Sequence, residues 1–379
     1  LMATFQKSLG LWKTTALGVG SLIGAGIFVL IGLVYNEVGS AMPISYLLAA
    51  LSAFMTAYAC AGLAKKKTVA GGEYGYVKYY LGTTGGVITG LLLMIASAAI
   101  CAVYGFAMTG FIRTLTGFEL PPLFLGMFFT VVFVVLNDVG AAKSANFELA
   151  MSFILVAGML FLSIIFFKNA EIPSVDFDLG KIAGGAGLVY LAFYGFQTIL
   201  VATLEMKNPK ILAPKAIYLS LGIVTVLYLL LAVAVAGVAR GTFENPELAL
   251  EILAGKFLGG KAEIVIAFLA LLAILTSMNG VIFGFARRVY AMAEDHYIPK
   301  IFTKIHPRFH TPYMATNLAV VLVFIFLYFG DIESGAKIAS FSYIASMLAI
   351  HSAAIKQGMS KAINGLAMLI NLILLWQLL

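Results

Sequence analysis

The chain has 379 residues, of which 62% are hydrophobic and only 11% are charged, and its mean hydropathy is +1.02. A soluble domain of this length cannot cover so much apolar side chain with so few charges, so the composition excludes that class and predicts an integral membrane protein. The formal net charge of +7 needs no nucleic acid to explain it, because anionic lipid is the nearer partner for basic residues that flank a bilayer.

Eleven uncharged runs of 18 or more residues follow one another along the chain. About 20 apolar residues cross the hydrocarbon core, so each run is a predicted transmembrane helix of an all-α integral membrane protein. The first run is too long for a cleaved signal peptide, and Pro43 marks a turn directly into the second. The runs are 14–36, 38–64, 79–112, 120–137, 149–167, 182–204, 216–239, 264–286, 309–330, 338–355 and 362–379.

The basic residues predict the orientation of these spans. Seventeen of the 24 Lys and Arg residues flank the loops on the side of the N-terminus, and seven flank those on the other side. The positive-inside rule then places the N-terminus in the cytoplasm of a multi-pass protein of the cell membrane. Cys60 and Cys101 lie within apolar runs, and His296, His306 and His310 share a loop without carboxylate or thiol partners around them. We therefore expect no metal and no cofactor.

The first span has a weak centre. Residues 20–28 read Gly-Ser-Leu-Ile-Gly-Ala-Gly-Ile-Phe, although glycine costs about 1 kcal/mol relative to alanine inside a helix. Interrupted backbone is tolerated in lipid only where protein or a water-lined cavity satisfies the freed groups. The segment therefore predicts a break at which backbone meets a solute, although the Gly20-xxx-Gly24 spacing alone also fits a helix-packing motif.

A second interruption lies in the sixth span, where glycines precede Phe-Tyr-Gly-Phe-Gln at 193–197. The two interruptions open successive blocks of five spans, 14–167 and 182–355. Paired interrupted segments in corresponding positions point to the midplane site of a transporter, and an odd number of spans inverts the second block relative to the first.

Such a pair of breaks suits an α-amino acid. Amides at 24–26 are placed to bind a carboxylate, and carbonyls at 19–21 and 193–194 to bind an ammonium. Neither break contains a charged side chain. A fixed charge at mid-bilayer would cost about 2.5–3.5 kcal/mol, which a zwitterion held by backbone dipoles avoids.

Four motifs, in order, carry a family resemblance. Residues 20–28 resemble the first-helix signature of the amino acid–polyamine–organocation (APC) superfamily, and Ala-Gly-Gly-Glu-Tyr-Gly-Tyr at 70–76 is similar to its Gly-Gly-x-Tyr element. Residues 195–217 look like the end of its sixth helix and the following loop. Residues 287–312 look like the cytoplasmic end of its eighth helix.

The resemblance implies one transmembrane domain, 1–379, with a leucine-transporter-like 5+5 inverted repeat and discontinuous helices 1 and 6. Repeat one covers 11–168, repeat two covers 180–355, and 362–379 forms an additional helix. The implied activity is that of a permease, a secondary active transporter of amino acids or related amines that works by alternating access, and not of an enzyme.

The resemblance also implies a site in which helices three and eight close the sides of a backbone cradle. Tyr104 fits ordinary bundle packing equally well, and hydroxyls such as those of Thr276 and Ser277 often bond to their own helix. Asn279 is a further polar candidate. The implied substrate-binding residues are Ser21, Ile23, Gly24, Ala25, Gly26, Tyr104, Phe193, Tyr194, Gly195 and Phe196.

Departures from the family pattern leave the coupling ion open. Gln197 stands where many relatives carry glutamate, and 149–167 lacks the lysine of some proton-coupled relatives, with Glu148 at the start of that span. A proton, a sodium ion and uncoupled exchange all stay open. The candidate ion-coupling groups are the backbone of Val19 and Leu22 and the hydroxyls of Thr276 and Ser277.

The substrate is expected to be a neutral amino acid, because polyamines and cationic amino acids need a paired carboxylate that the breaks lack. A cationic amino acid or polyamine carrier is the alternative. A passive channel is the remote alternative, but it would show a carboxylate ring or a carbonyl filter. A membrane enzyme would show a titratable cluster at one depth. The sequence shows neither feature. The expected partners are the amino acid and the lipid bilayer, and the sequence leaves the oligomeric state open.

Overall fold

The computed structural model describes the backbone of residues 7, 9–138, 141–172, 176–193 and 195–378, and the side chains of these except residues 25, 141–145 and 147. The described residues form helices and turns, with one isolated bridge between Leu9 and Met206. The helices are α1 (Leu11–Leu22), α2 (Ala25–Phe28), α3 (Leu30–Val38), α4 (Met42–Lys66), α5 (Glu73–Leu81), α6 (Thr83–Thr116), α7 (Pro122–Asp138), α8 (Ala141–Lys168), α9 (Leu179–Tyr190), α10 (Gln197–Val201), α11 (Pro209–Val238), α12 (Ala249–Leu258), α13 (Gly260–Glu294), α14 (Tyr313–Phe329), α15 (Ile332–Lys356) and α16 (Lys361–Leu378).

All eleven uncharged runs fall on these helices. Among the described residues, nine helical segments are long and apolar enough to cross a membrane, and α7 and α14 are shorter apolar helices. The prediction of an all-α membrane protein is therefore confirmed. The pairing of the spans into a 5+5 inverted repeat stays a prediction. Helix α12 and most of α5 lie outside the eleven predicted spans, and neither helix was predicted from the sequence.

The first predicted span is interrupted where the glycines predict it. Helix α1 ends at Leu22 because Ile23 leaves the helical region with ψ +83°, and Gly24 forms a bend before α2 begins at Ala25. Val29 keeps right-handed helical dihedrals between α2 and α3, so the chain continues beyond the break in nearly the same helical path.

The sixth predicted span is interrupted in a similar way. Helix α9 tightens into a 3-10 turn at Leu191–Phe193, and Gly195 and Phe196 form a turn before α10 begins at Gln197. The amide of Thr198 donates to the Gly195 carbonyl at 2.9 Å, which closes that turn. Each interruption therefore leaves a short non-helical stretch between two helical segments.

Helix α1 lies at the centre of the bundle, where α8, α10, α11 and α13 surround it, and every residue from Thr14 to Gly24 is buried. Helix α8, by contrast, exposes large apolar side chains such as Phe153 and Ile164. An exposed apolar face of this kind fits contact with lipid rather than water.

The two ends of the bundle are distinguished by their loops. We call the end that carries Leu9, α5 and the last turn of α13 the N-terminal end, and the end that carries the last turn of α6 and the first turn of α15 the distal end. Helix α6 has 34 residues, which corresponds to about 50 Å at 1.5 Å per residue and connects one end to the other.

Candidate functional site

The two interruptions meet backbone to backbone in the middle of the bundle. A methyl group added to Gly195 would lie 2.5 Å from the carbonyl carbon of Ser21 and 2.6 Å from the amide nitrogen of Leu22. A methyl group on Gly26 would lie 2.5 Å from the Cα of Ala192. Glycine is required at both positions because any Cβ would drive the two segments apart.

Helices α6 and α13 close one side of the first break through hydroxyl groups. The Ser277 hydroxyl donates to the Ser21 carbonyl at 2.8 Å, and the Tyr104 hydroxyl lies 2.6 Å from the Ser277 oxygen. A methyl group on Gly24 would lie 2.3 Å from that oxygen and 3.2 Å from the Tyr104 hydroxyl. Tyr104 therefore contacts the break directly, in addition to packing in the bundle.

Helix α11 closes another side through Tyr228. Its hydroxyl donates to the Leu22 carbonyl at 2.6 Å and lies 3.4 Å from the Ala192 carbonyl, so one side chain joins the two interruptions. The ring of Phe193 packs edge-on against the Tyr228 ring with centroids 5.5 Å apart. Tyr228 was not predicted from the sequence, because an aromatic residue inside an apolar span carries no signal that separates it from ordinary packing.

The second break is held by Gln197. Its side-chain oxygen accepts the Gly195 amide at 2.9 Å, while the side-chain nitrogen is buried with no hydrogen-bond partner among the described residues. Phe196 is fully buried beside it. Tyr194 lies outside the described residues, as does the side chain of Ala25.

The backbone groups of the first break are partly engaged in local hydrogen bonds. Val19 accepts the Ile23 amide at 2.8 Å, and Leu22 accepts the Gly24 amide at 2.9 Å. The amides of Ala25 and Gly26 begin α2, and the first amides of a helix have no partner within it. In this conformation the expected Gly24 donor is therefore occupied by its own turn.

Two adjacent hydroxyls on α13 have different partners. Thr276 donates to the Ala273 carbonyl of its own helix at 2.9 Å, whereas Ser277 reaches across to α1. Successive helical residues point about 100° apart, so only one of the pair faces the break. The geometry brings Ser277 to the site and leaves Thr276 bonded within its helix.

The N-terminal end is closed by buried ion pairs. Arg287 Nε donates to Glu205 at 3.0 Å, and Arg288 lies 3.6 Å from Glu73, with all four side chains at most 4% exposed. Burial raises the pKa of the Glu73 carboxyl, and the Arg288 guanidinium lowers it only in part. Two buried ion pairs therefore lie at this end of the bundle.

The distal end is open by comparison. A cavity of about 570 Å³ lies between the ends of α6 and α15 and the loops beside them. Thr109 lines it and lies five residues beyond Tyr104 on α6, which is about 8 Å along the helix axis. The cavity is lined by Phe106, Thr109, Gly110, Arg113, Glu119, Pro122, Asn245, Glu247, Leu248, Asp331, Ile332 and Glu333.

Comparison with known proteins assigns the family. The amino acid permease family profile matches residues 9–374, which is nearly the whole described chain. The chain belongs to the amino acid permease family. The predicted resemblance to the APC superfamily of transporters is therefore confirmed.

The relatives include transporters of different substrates. An uncharacterized transporter of Mycobacterium tuberculosis (strain H37Rv) is 27% identical over 94% of this chain and 81% of its own length. A branched-chain amino acid permease of Bacillus subtilis is 28% identical over 83% of this chain and 72% of its own. The cationic amino acid transporter 5 of Arabidopsis thaliana is 28% identical over 91% of this chain and 64% of its own.

Three histidines of this permease lie between α13 and α14. His306 accepts the backbone amides of Arg308 and Phe309 and so stabilises its own turn. His296 and His310 adopt positive φ angles of 63° and 53°. The described residues contain no group of three or more His, Cys, Asp or Glu side chains placed to hold a metal.

The permease also buries a carboxyl group beside the first break. Glu148 is fully buried on α8, and its Oε1 accepts the Asn279 side-chain amide at 2.7 Å. Asn137 on α7 in turn donates to Asn279 at 2.9 Å. The sequence analysis placed Glu148 at the start of a span because the spans were bounded at charges. Helix α8 begins seven residues earlier, at Ala141, so the carboxyl lies inside the bundle.

Proposed function

We propose that this permease is a secondary active transporter that moves a neutral amino acid across the cell membrane by alternating access. The observation that carries the proposal is the direct backbone contact between the two interruptions, at Gly195 against Ser21 and Leu22. Backbone groups of both segments then lie close together in the bundle, as they must if backbone dipoles are to bind both the carboxylate and the ammonium of one amino acid.

The lining of the breaks supports a neutral substrate. The residues of both interruptions carry no charged side chain, so an amino acid would be bound through its own carboxylate and ammonium groups by backbone dipoles. Phe193 and Tyr104 add aromatic surface for an apolar side chain. The branched-chain permease of Bacillus subtilis gives this class a precedent among the relatives.

The difference between the two ends supports alternating access. The N-terminal end is closed by buried ion pairs, while a cavity approaches Tyr104 from the distal end. We assign the N-terminal end to the cytoplasm because most basic residues flank the loops on that side. The conformation described would then be closed to the cytoplasm, with its cavity facing outward.

One observation favours a cationic amino acid instead. Four carboxylates, those of Glu119, Glu247, Asp331 and Glu333, line the distal cavity beside the single guanidinium of Arg113. Such a cavity concentrates cations near its mouth. The Arabidopsis relative named as a cationic amino acid transporter fits this alternative. Neutral substrates remain our proposal because these carboxylates lie in the cavity rather than in either interruption.

Counterflow in proteoliposomes tests the proposal. Vesicles loaded with unlabelled L-leucine are expected to take up labelled L-leucine saturably, with L-lysine and putrescine exchanging at least tenfold more slowly, a difference of about 1.4 kcal/mol in transition-state energy. Faster exchange of L-lysine than of L-leucine would support the cationic alternative. An ionic conductance without saturation would contradict carrier function altogether.

The Gly195→Ala variant tests whether the backbone contact serves binding. Its methyl group meets the Ser21–Leu22 peptide at about 2.5 Å, so we expect leucine counterflow to be abolished. The matched control is Gly222→Ala on α11, where an added methyl group meets nothing within 4 Å. Thermal denaturation of both variants in detergent separates loss of binding from loss of folding. Full counterflow in a folded Gly195→Ala protein would refute the backbone cradle.

A further inference from the structure

One buried carboxyl group lies beside the first break and has no role in the proposed substrate site. Glu148 on α8 faces Gly20 on α1, three residues before the break at Ile23. A methyl group added to Gly20 would lie 2.0 Å from Glu148 Oε2. Nearby, the Ser152 hydroxyl donates to the Ala16 carbonyl at 3.1 Å, so α8 contacts α1 over more than one turn.

The two oxygens of this carboxyl have different surroundings. Oε1 accepts the Asn279 amide, whereas Oε2 is buried with no hydrogen-bond partner among the described residues. Asn279 is oriented by Asn137, which donates to its side-chain oxygen. One oxygen of the carboxyl is therefore hydrogen-bonded to Asn279, which is itself oriented from α7, and the other oxygen lies against the backbone at Gly20.

No countercharge reaches Glu148 from the part of the chain that the structure describes, by ion pair or by charge–charge interaction. An ionised carboxylate in an apolar interior needs a paired charge or several donors, and among the described residues this one has a single neutral amide donor. The conformation therefore favours the neutral acid. The helices packed against α8 carry the charged residues Lys13 on α1, Asp138 on α7, Lys215 on α11, Glu251 and Lys256 on α12 and Arg287 on α13, among others, and the side chain of Lys143 on α8 itself lies outside the described residues.

We propose that Glu148 is the proton-binding group that couples transport to the proton gradient, an inference that rests on the proposed transport function. A proton suits the site better than a metal cation. A cation needs several oxygen ligands around it, and the space between Oε2 and Gly20 is too small even for a methyl group. The proton binds a carboxylate oxygen and needs no such shell.

The coupling follows from the contact between Glu148 and α1. While α1 packs against α8, the carboxyl is dry and holds its proton. When α1 moves away from α8, water reaches Oε2, the O–H bond of the acid breaks, and the proton leaves to water at the N-terminal end. The carboxylate that remains resists the return of α1 until it binds a proton again.

Uptake into proteoliposomes tests this step. A gradient of about one pH unit is expected to support roughly tenfold accumulation of a neutral solute that moves with one proton, because one unit is a tenfold ratio of activities. Wild-type protein should reach this level with labelled L-leucine, and a sodium gradient alone should give none. Glu148→Gln should abolish the accumulation, and Glu148→Asp should retain part of it. The matched control is Ser163→Ala on the same helix, since the Ser163 hydroxyl donates to the Met159 carbonyl of its own turn.

A second readout requires no transport. Infrared difference spectra of purified protein should contain a protonated carboxylic C=O band that is absent in Glu148→Gln and shifted in Glu148→Asp. Undiminished proton-driven accumulation by Glu148→Gln would overturn the proposal, and so would accumulation driven by sodium instead. If wild-type protein shows L-leucine counterflow but no proton-driven accumulation, the proposal is overturned while the transport function stands. If it shows neither counterflow nor accumulation of L-leucine or L-lysine, the transport function itself fails. If Glu148→Gln does not fold, an unshifted band in Glu148→Asp overturns the proposal.

Discussion

Arg287 at the N-terminal end is 4% exposed and donates to a carboxylate that is 2% exposed, whereas Arg113 at the distal end is 53% exposed and lies 3.9 Å from Glu119. The same pair of charge types thus occurs in two environments. A buried pair costs desolvation energy and is strongly destabilised when one partner is lost. An exposed pair contributes little in either direction.

The contrast indicates which end is harder to open. Opening the N-terminal end separates buried ion pairs, and the charged groups must then be hydrated. The charged side chains at the distal end are already in contact with solvent. Within the N-terminal end the two pairs also differ, because Arg287 makes a hydrogen bond to Glu205 while both oxygens of Glu73 lack one among the described residues. The Glu73–Arg288 pair is therefore the weaker part of the closure.

The largest expected effect comes from removing one buried partner. Arg287→Ala leaves the Glu205 carboxylate buried without its guanidinium, which should cost about 3–5 kcal/mol and lower the thermal midpoint in detergent. Hydrogen exchange should also rise in α5 and around Glu205. The matched control, Arg113→Ala, is expected to change stability by about 0–1 kcal/mol. Equal losses in the two variants would contradict the contrast between the ends.

A pH titration sharpens the distinction within the N-terminal end. Because burial raises the pKa of Glu73 above its ordinary value, the folded protein binds this proton more tightly than the unfolded chain does. Its contribution to stability is then present below the ordinary pKa near 4.5 and is lost as pH rises through the folded value. As the pH is increased above 4.5, the thermal midpoint of the wild type should fall more steeply than that of Glu73→Gln. Parallel curves would show that Glu73 is not the group responsible.

The smallest expected effect concerns the distal end. Asp331 caps α15 by accepting the Ser334 amide at 2.9 Å, and these hydrogen bonds lower the pKa of its carboxyl. Asp331→Ala should cost about 0.5–2 kcal/mol and increase hydrogen exchange only in the first turn of α15. Asp331→Asn, which keeps a capping oxygen, should retain most of the protection. Increased exchange at α5 in the alanine variant would show that the two ends are not independent.

Much of the fold could be predicted because lipid imposes simple rules on sequence. Uncharged runs of membrane length became helices, and the interruptions at 20–28 and 193–197 became breaks, since glycine weakens a helix wherever it occurs. The confirmed features are thus local properties of the chain or properties of its composition.

The rest of the site depends on contacts between distant segments. Tyr228 reaches the first break across 206 residues, and nothing in its local sequence distinguishes it from other aromatic residues of the spans. Thr276 and Ser277 are alike in type and differ only in which helix face they occupy. Glu148 stands at the start of its candidate span, as predicted, but its burial and its hydrogen bond to Asn279 depend on helices that are distant in the sequence.

The isolated bridge at the N-terminal end limits how this permease can move. The Leu9 amide donates to the Glu205 carbonyl at 3.1 Å, and the Leu9 carbonyl accepts the Lys207 amide at 3.3 Å. Two backbone hydrogen bonds thus connect the segment before α1 to the segment that follows α10. While these two bonds last, α1 and the chain that follows α10 are joined at the N-terminal end, so a movement of either one is transmitted to the other.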